Sequence, residues 1–129
     1  MTNLLLKYSP LLEELKHKSQ VDSLIIFGSY SNSKYSQLSD LDIAVIFSKN
    51  VTEEEKIEIL SHSTDELDIC DFWTLPLPLQ FKIVSSNNIL KESSNFNQIK
   101  TKITLKWLNF KPRLRKMYLQ RGYNEEYVI

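Results

Sequence analysis

The chain has 129 residues, 42% of them hydrophobic and 25% charged, with only two glycines and four prolines. That length and mix suit one globular domain with its own core, and they exclude a disordered or fibrous chain. The single cysteine, Cys70, excludes a disulfide framework and a cysteine zinc site, points to a reducing cytoplasm, and reads as a small apolar filler in a strand.

Net charge is zero, but residues 1–99 carry 8 Lys+Arg against 14 Asp+Glu while residues 100–129 carry 8 against 2. A basic C-terminal segment of this kind either folds back on an acidic body or meets an anionic ligand or partner. The N-terminal MTNLLLKYSPLLEELKHK meets an acid pair early and lacks a long apolar core, so it reads as neither a signal peptide nor a membrane span.

In chain order, Ser9 and Pro10 followed by Leu11, Leu12 and Leu15 predict a helix with Ser9 as N-cap, running to about His17. Val21 to Phe27 and Leu41 to Phe47 are short apolar, β-branched runs that read as buried strands, with a helical turn between them. Thr52 with Glu55 three residues later has the capping-box pattern, so a helix is expected to about Ser63. A third strand is expected over Leu67 to Trp73, stopped by Pro76 and Pro78. A short helix from Pro78 carries Leu79, Ile83 and Val84 on one face, and a brief extended Ile89-Leu90 follows. From Asn95, the residues Phe96, Ile99, Ile103, Trp107, Phe110, Leu114 and Met117 or Tyr118 recur every three or four positions, which predicts a long C-terminal helix that Pro112 should kink or break. Trp73 and Trp107 both read as core. The expected fold is α/β (α+β), a small mixed sheet flanked by helices, in a single domain of residues 1–129 with a core of about 9–92 and a C-terminal helical segment of about 95–121.

Asp40 and Asp42 lie two apart at the start of a strand, so they point the same way and can share a cation. Hard oxygen donors at this spacing suit Mg²⁺ or Mn²⁺. Gly28-Ser29, ending the preceding strand, lets backbone approach a phosphate and adds a hydroxyl to it. Asp68, early in the third strand, can bring a third carboxylate beside the first two; three carboxylates can hold two metals for in-line phosphoryl transfer. Asp71, at an odd offset from Asp68, reads as a strand-end or cap residue, and His17 and His62 read as surface residues.

The segment FGSYSNSKYSQLSDLDIAVIF resembles the Gly-Ser, ten residues, Asp-x-Asp signature of polymerase-β-type nucleotidyltransferases, and LDICDFWTLPLPLQFKIVSSNNILKES resembles the third strand and short helix of the minimal nucleotidyltransferase (MNT) proteins. The resemblance implies the polymerase-β-like nucleotidyltransferase fold, with Gly28 and Ser29 holding the triphosphate and Asp40, Asp42 and Asp68 binding Mg²⁺ ions. Family members often carry an Arg and a Gly shortly after the serine; here Ser31, Asn32, Ser33 and Lys34 stand there, with Lys34 as the replacement phosphate contact. MNT proteins are similar to the antitoxin halves of HEPN/MNT pairs, so the resemblance implies transfer of AMP from ATP to a tyrosine of a HEPN ribonuclease toxin, in a cytoplasmic hetero-oligomer without membrane attachment. Two other readings stand beside it: an antitoxin that neutralises its toxin by binding alone, and a nucleotidyltransferase acting on a small molecule. The basic C-terminal run favours packing on the body or on another protein over direct contact with nucleic acid, and the loop tyrosines Tyr30 and Tyr35 read as packing.

Overall fold

The structure is a computed structural model that describes residues 2–28 and 40–122, apart from the side chains of Thr2 and Asn3. Along the chain run α1 (Thr2–Lys16), β1 (Val21–Phe27), β2 (Leu41–Phe47), α2 (Glu53–Leu60), β3 (Leu67–Asp71), a 3₁₀ turn (Phe72–Thr74), α3 (Leu77–Val84), β4 (Ile89–Lys91) and α4 (Phe96–Gln120). The strands form one mixed sheet in the order β3-β2-β1-β4. β1 is antiparallel to β2 and to β4, and β2 is parallel to β3. A parallel pair needs a crossover, which α2 supplies.

β1 and β2 are apolar on both faces because helices cover both. Leu41, Ile43 and Val45 of β2 join Leu67, Ile69, Leu12, Leu15 and Ile59 in one buried cluster, on the α1 and α2 side. Ala44 and Ile46, on the opposite face, join Ile25, Phe72, Ile83, Val84, Phe96 and Ile103, on the α3 and α4 side. Each fully buried Leu, Ile or Phe side chain contributes roughly 2 kcal/mol by leaving water, so this two-faced burial fixes β1 and β2 at the centre of the sheet. The capping box at α2 forms as the sequence predicts: Glu55 N donates to Thr52 Oγ1 at 3.1 Å and Thr52 N donates to Glu55 Oε1 at 3.0 Å. No helix among the described residues is long and apolar enough to cross a membrane.

Three expectations are corrected. First, α1 begins at Thr2, so Pro10 lies inside the helix instead of at its start. Second, Pro112 does not interrupt α4, which runs unbroken from Phe96 to Gln120. Proline removes the donor to the carbonyl four residues earlier, here those of Leu6 and Leu108. Leu6 is 69% and Leu108 59% exposed, so water can take the orphaned carbonyl in both cases. The start of α1 is held instead by tertiary contacts: Leu4, Leu5 and Tyr8 pack on the first cluster, Lys7 pairs with Glu66 at 3.1 Å, and the Tyr8 hydroxyl bonds that of Thr64 at 2.7 Å.

Third, β3 stops at Asp71 and Trp73 is not core. The Asp71 carboxylate accepts a hydrogen bond from Trp73 N at 3.1 Å, and the Thr74 hydroxyl donates to the Asp71 carbonyl at 2.8 Å. These local bonds turn the chain into the 3₁₀ helix, burying Phe72 and leaving Trp73 43% exposed. Asp71 is thus the cap residue its spacing suggests. Trp107, by contrast, is buried and stacks on Phe81 with ring centroids 5.6 Å apart.

Candidate active site

The β-sheet register brings together two of the sequence-selected acids. Asp42 of β2 is the direct partner of Asp68 in the parallel β2–β3 pair, and on its other side it is the antiparallel partner of Phe27 at the end of β1. Asp42 is followed at alternate positions by Ala44 and Ile46, so its carboxylate belongs to the α3 and α4 face. Asp40 immediately precedes β2 and is exposed; Asp68 is exposed; Asp42 is half-buried.

This placement sets the electrostatics. Burial pushes the Asp42 carboxyl up from the ordinary aspartate range, and the like charges of Asp68 and Asp40 push it further. Desolvation and like charges both penalise the ionised form, so the group is strained until a proton or a cation relieves it. No three acidic, histidine or cysteine side chains among the described residues converge into a ready metal cage. The donor chemistry still fits a hard divalent cation, because carboxylate oxygens gathered from two adjacent strands, one of them half-buried beside like charges, gain from a positive ion that retains water and phosphate ligands.

Gly28 closes the site from above. Its φ is +76°, a conformation that side chains with a Cβ rarely adopt, and a Cβ placed there would run into the Asp42 carboxylate. Glycine at this position therefore has two separate causes, the left-handed turn out of β1 and the close approach to the acid. Ser29 and Lys34, the other expected triphosphate contacts, lie outside the described residues, as do the expected helical turn, Tyr30 and Tyr35.

Cys70 was legible as a strand residue but its contact was not. It is half-buried on β3, two positions after Asp68 and on the same face, and its thiol donates to Asp68 Oδ2 at 3.3 Å. Burial, the bond to Asp68 and the negative field of Asp68 and Asp42 push the thiol up to about 12. Nothing in the sequence pattern alone distinguishes such a thiol from a core filler. His17 is exposed in solution and His62 sits in the turn after α2, so neither histidine reaches the acids.

A carboxylate pair in register on adjacent strands, beside a glycine in a left-handed turn at the end of a third, is an arrangement that could hold a divalent cation and a phosphate. The family described as "Polymerase beta, Nucleotidyltransferase" matches residues 10–96, and the chain belongs to it; it is a nucleotidyltransferase and its substrate is a nucleotide. Among named relatives, the chain is similar to "Putative protein adenylyltransferase MJ1547" of Methanocaldococcus jannaschii, 28% identical over 120 residues that span 82% of this chain and 93% of the relative. It is also similar to "Putative protein adenylyltransferase MJ0126" of the same organism, 35% identical over 57 residues, 44% of this chain and 58% of that one. Among solved structures it resembles a chain of a toxin–antitoxin complex crystallised with AMP-PNP, with a TM-score of 0.66 at 18% identity, over 89% of this chain and 95% of the other. It also resembles a chain of the complex between a tri-AMPylated Shewanella oneidensis HEPN toxin and its MNT antitoxin, with a TM-score of 0.61 at 17% identity, over 94% and 98% of the two chains. At those identities the likeness to the solved structures concerns the fold.

Proposed function

We propose that this protein is an ATP-dependent protein adenylyltransferase that transfers AMP to a tyrosine of a partner HEPN ribonuclease toxin and so acts as its antitoxin. The observation that carries the reading is the in-register pair Asp42 and Asp68 under Gly28, with Asp40 acting on the same field. The names and complexes of the relatives supply the direction: two are named as protein adenylyltransferases, and one solved complex holds an AMPylated HEPN toxin.

In the proposed reaction the acceptor hydroxyl attacks the α-phosphorus of ATP in line, a new P–O bond forms, and the bond to the β-phosphate oxygen breaks to release pyrophosphate. Asp40, Asp42 and Asp68 would hold Mg²⁺, which when bound offsets the charge of the triphosphate and lowers the pKa of the acceptor hydroxyl. Gly28 gives the triphosphate close access to backbone, with Ser29 and Lys34 as further contacts. Asp68, exposed on β3, would also take the acceptor's proton.

The test is incubation of purified chain with Mg²⁺, labelled ATP and the HEPN partner. Label should enter the partner, and Asp40→Asn, Asp42→Asn and Asp68→Asn should each abolish it; transfer that survives all three substitutions refutes the assignment. A second reading, neutralisation by binding alone, draws on the exposed outer part of α4. It predicts that the Asp42→Asn chain still silences the toxin with no nucleotide present.

A further inference from the structure

Asp42 and Asp68 are held in different ways. Asp42 is half-buried on a strand flanked on both sides, with Gly28 close against its carboxylate. Asp68 is exposed and lies on β3, an edge strand. Little packing keeps its carboxylate beside Asp42, and an exposed aspartate at an edge has rotamers that turn out into water. The one hydrogen bond that this carboxylate makes among the described residues comes from Cys70, whose thiol donates to Oδ2 at 3.3 Å. Resting on the proposed reading of the acids as a metal centre, we propose that Cys70 is a positioning residue: its thiol holds Asp68 Oδ2 over the sheet face that carries Asp42 and leaves Oδ1 for the cation.

The register supports the assignment. In the parallel β2–β3 ladder Asp68 pairs with Asp42 and Cys70 with Ala44, so all four side chains stand on one face, the α3 and α4 side. A bond to a residue two positions further along that face draws the Asp68 carboxylate along the strand, over the sheet and away from the open edge. The thiol also suits the place by its chemistry. Ala44 belongs to the buried cluster with Phe72 and Ile83, and Cys70 beside it is half-buried, so the position takes a small side chain of low polarity. A valine there fills the space without a donor, and a serine donates at a greater cost in desolvation. A thiol packs as a small hydrophobe and still donates. Ordering the carboxylate before the cation arrives removes that cost from binding, and loss of an outer partner of a metal ligand typically lowers metal affinity by about ten- to a hundredfold.

The experiment is equilibrium binding of Mn²⁺, read from its electron paramagnetic resonance signal, to the full chain and to Cys70→Val, Cys70→Ser, Asp42→Asn, Asp68→Asn and the double variant Cys70→Val with Asp68→Asn. Cys70→Val, which keeps the packing and loses the donor, should bind Mn²⁺ about tenfold more weakly. Cys70→Ser, which keeps the donor, should retain most of the affinity. On top of Asp68→Asn, the Cys70→Val change should have no further effect, because the group it acts through is gone. Wild-type affinity in Cys70→Val overturns the proposal. Equal losses in Cys70→Val and Cys70→Ser, or a Cys70→Val loss that persists undiminished on top of Asp68→Asn, also overturn it and make Cys70 a packing residue only. These outcomes leave the metal centre intact as long as Asp42→Asn and Asp68→Asn weaken Mn²⁺ binding. A wild-type chain that binds no Mn²⁺, or whose affinity neither acid substitution changes, overturns the proposal and the reading of the acids together.

Discussion

The acid end of β2 and β3 and the outer part of α4 are both left unsatisfied by the fold, but by opposite physics. At the acid end, Asp42 is half-buried among like charges. On outer α4, Leu105, Leu108, Phe110, Met117 and Leu119 are exposed on a helix whose inner part buries Phe96, Ile103 and Trp107. The first region lacks a positive charge and the second lacks an apolar cover. In the proposed reading a metal-nucleotide would supply the one and a protein acceptor the other, since transfer of AMP to a bound protein needs both. Along the predicted apolar stripe of α4, Phe96, Ile103 and Trp107 are buried while Phe110 and Met117 are partly exposed, and Leu105, Leu108 and Leu119 add exposed apolar side chains off that stripe.

The contrast can be broken most forcefully at the acids. Asp42→Asn should reduce adenylyl transfer by at least about a hundredfold, measured with saturating Mg²⁺ and ATP, while the chain remains folded. Next in size is the difference along α4. Trp107→Ala removes a buried ring stacked on Phe81 and should cost about 3–5 kcal/mol of unfolding free energy. Leu119→Ala, at an exposed position, should change stability by no more than ~0.5 kcal/mol and weaken association with the partner instead. Urea unfolding and a pull-down of the HEPN partner separate the two effects.

A smaller effect should appear in the pH dependence of stability. The folded-state pKa of Asp42 is raised, so between its unfolded and folded values the native state binds more protons and stability falls as pH rises. Asp42→Asn should therefore stabilise the chain above the folded pKa and give no such gain below the unfolded one, and Mg²⁺ should shrink the difference. Thermal melts across the acid range with and without Mg²⁺ read this directly. The smallest effect concerns Cys70: with its thiol held up to about 12, alkylation of the native chain at mildly basic pH should be much slower than in urea. Equal rates in both conditions would contradict the described Asp68 contact.

Much of this was legible because the relevant signals are local. β1 and β2 have the predicted bounds, since continuous apolar runs ended by Gly28 on one side and begun after Asp40 on the other leave little latitude. The pairing of Asp42 with Asp68 was expected from their positions near the starts of two strands, and the parallel register realises it. What escaped sequence reasoning depends on tertiary surroundings. Pro10 and Pro112 sit inside helices where the residue four positions earlier, Leu6 or Leu108, is exposed, and helix spacing does not encode that. Trp73 was misjudged because a single side-chain bond from Asp71 turns the chain one step early and exchanges its burial with that of Phe72. The Gly28 approach to Asp42 and the Cys70 bond to Asp68 are contacts across strands, invisible until the register is known.

The central claim is that the acids under Gly28 drive transfer of AMP to a protein and do more than help hold it. Intact-mass spectrometry of the HEPN partner, after incubation with this chain, Mg²⁺ and ATP, tests it most directly. The account predicts that the partner gains one or more adenylyl masses, mapped to tyrosine, with the wild-type chain and gains none with Asp42→Asn, although both chains still bind it. An unmodified partner that is nonetheless silenced by both chains would contradict it.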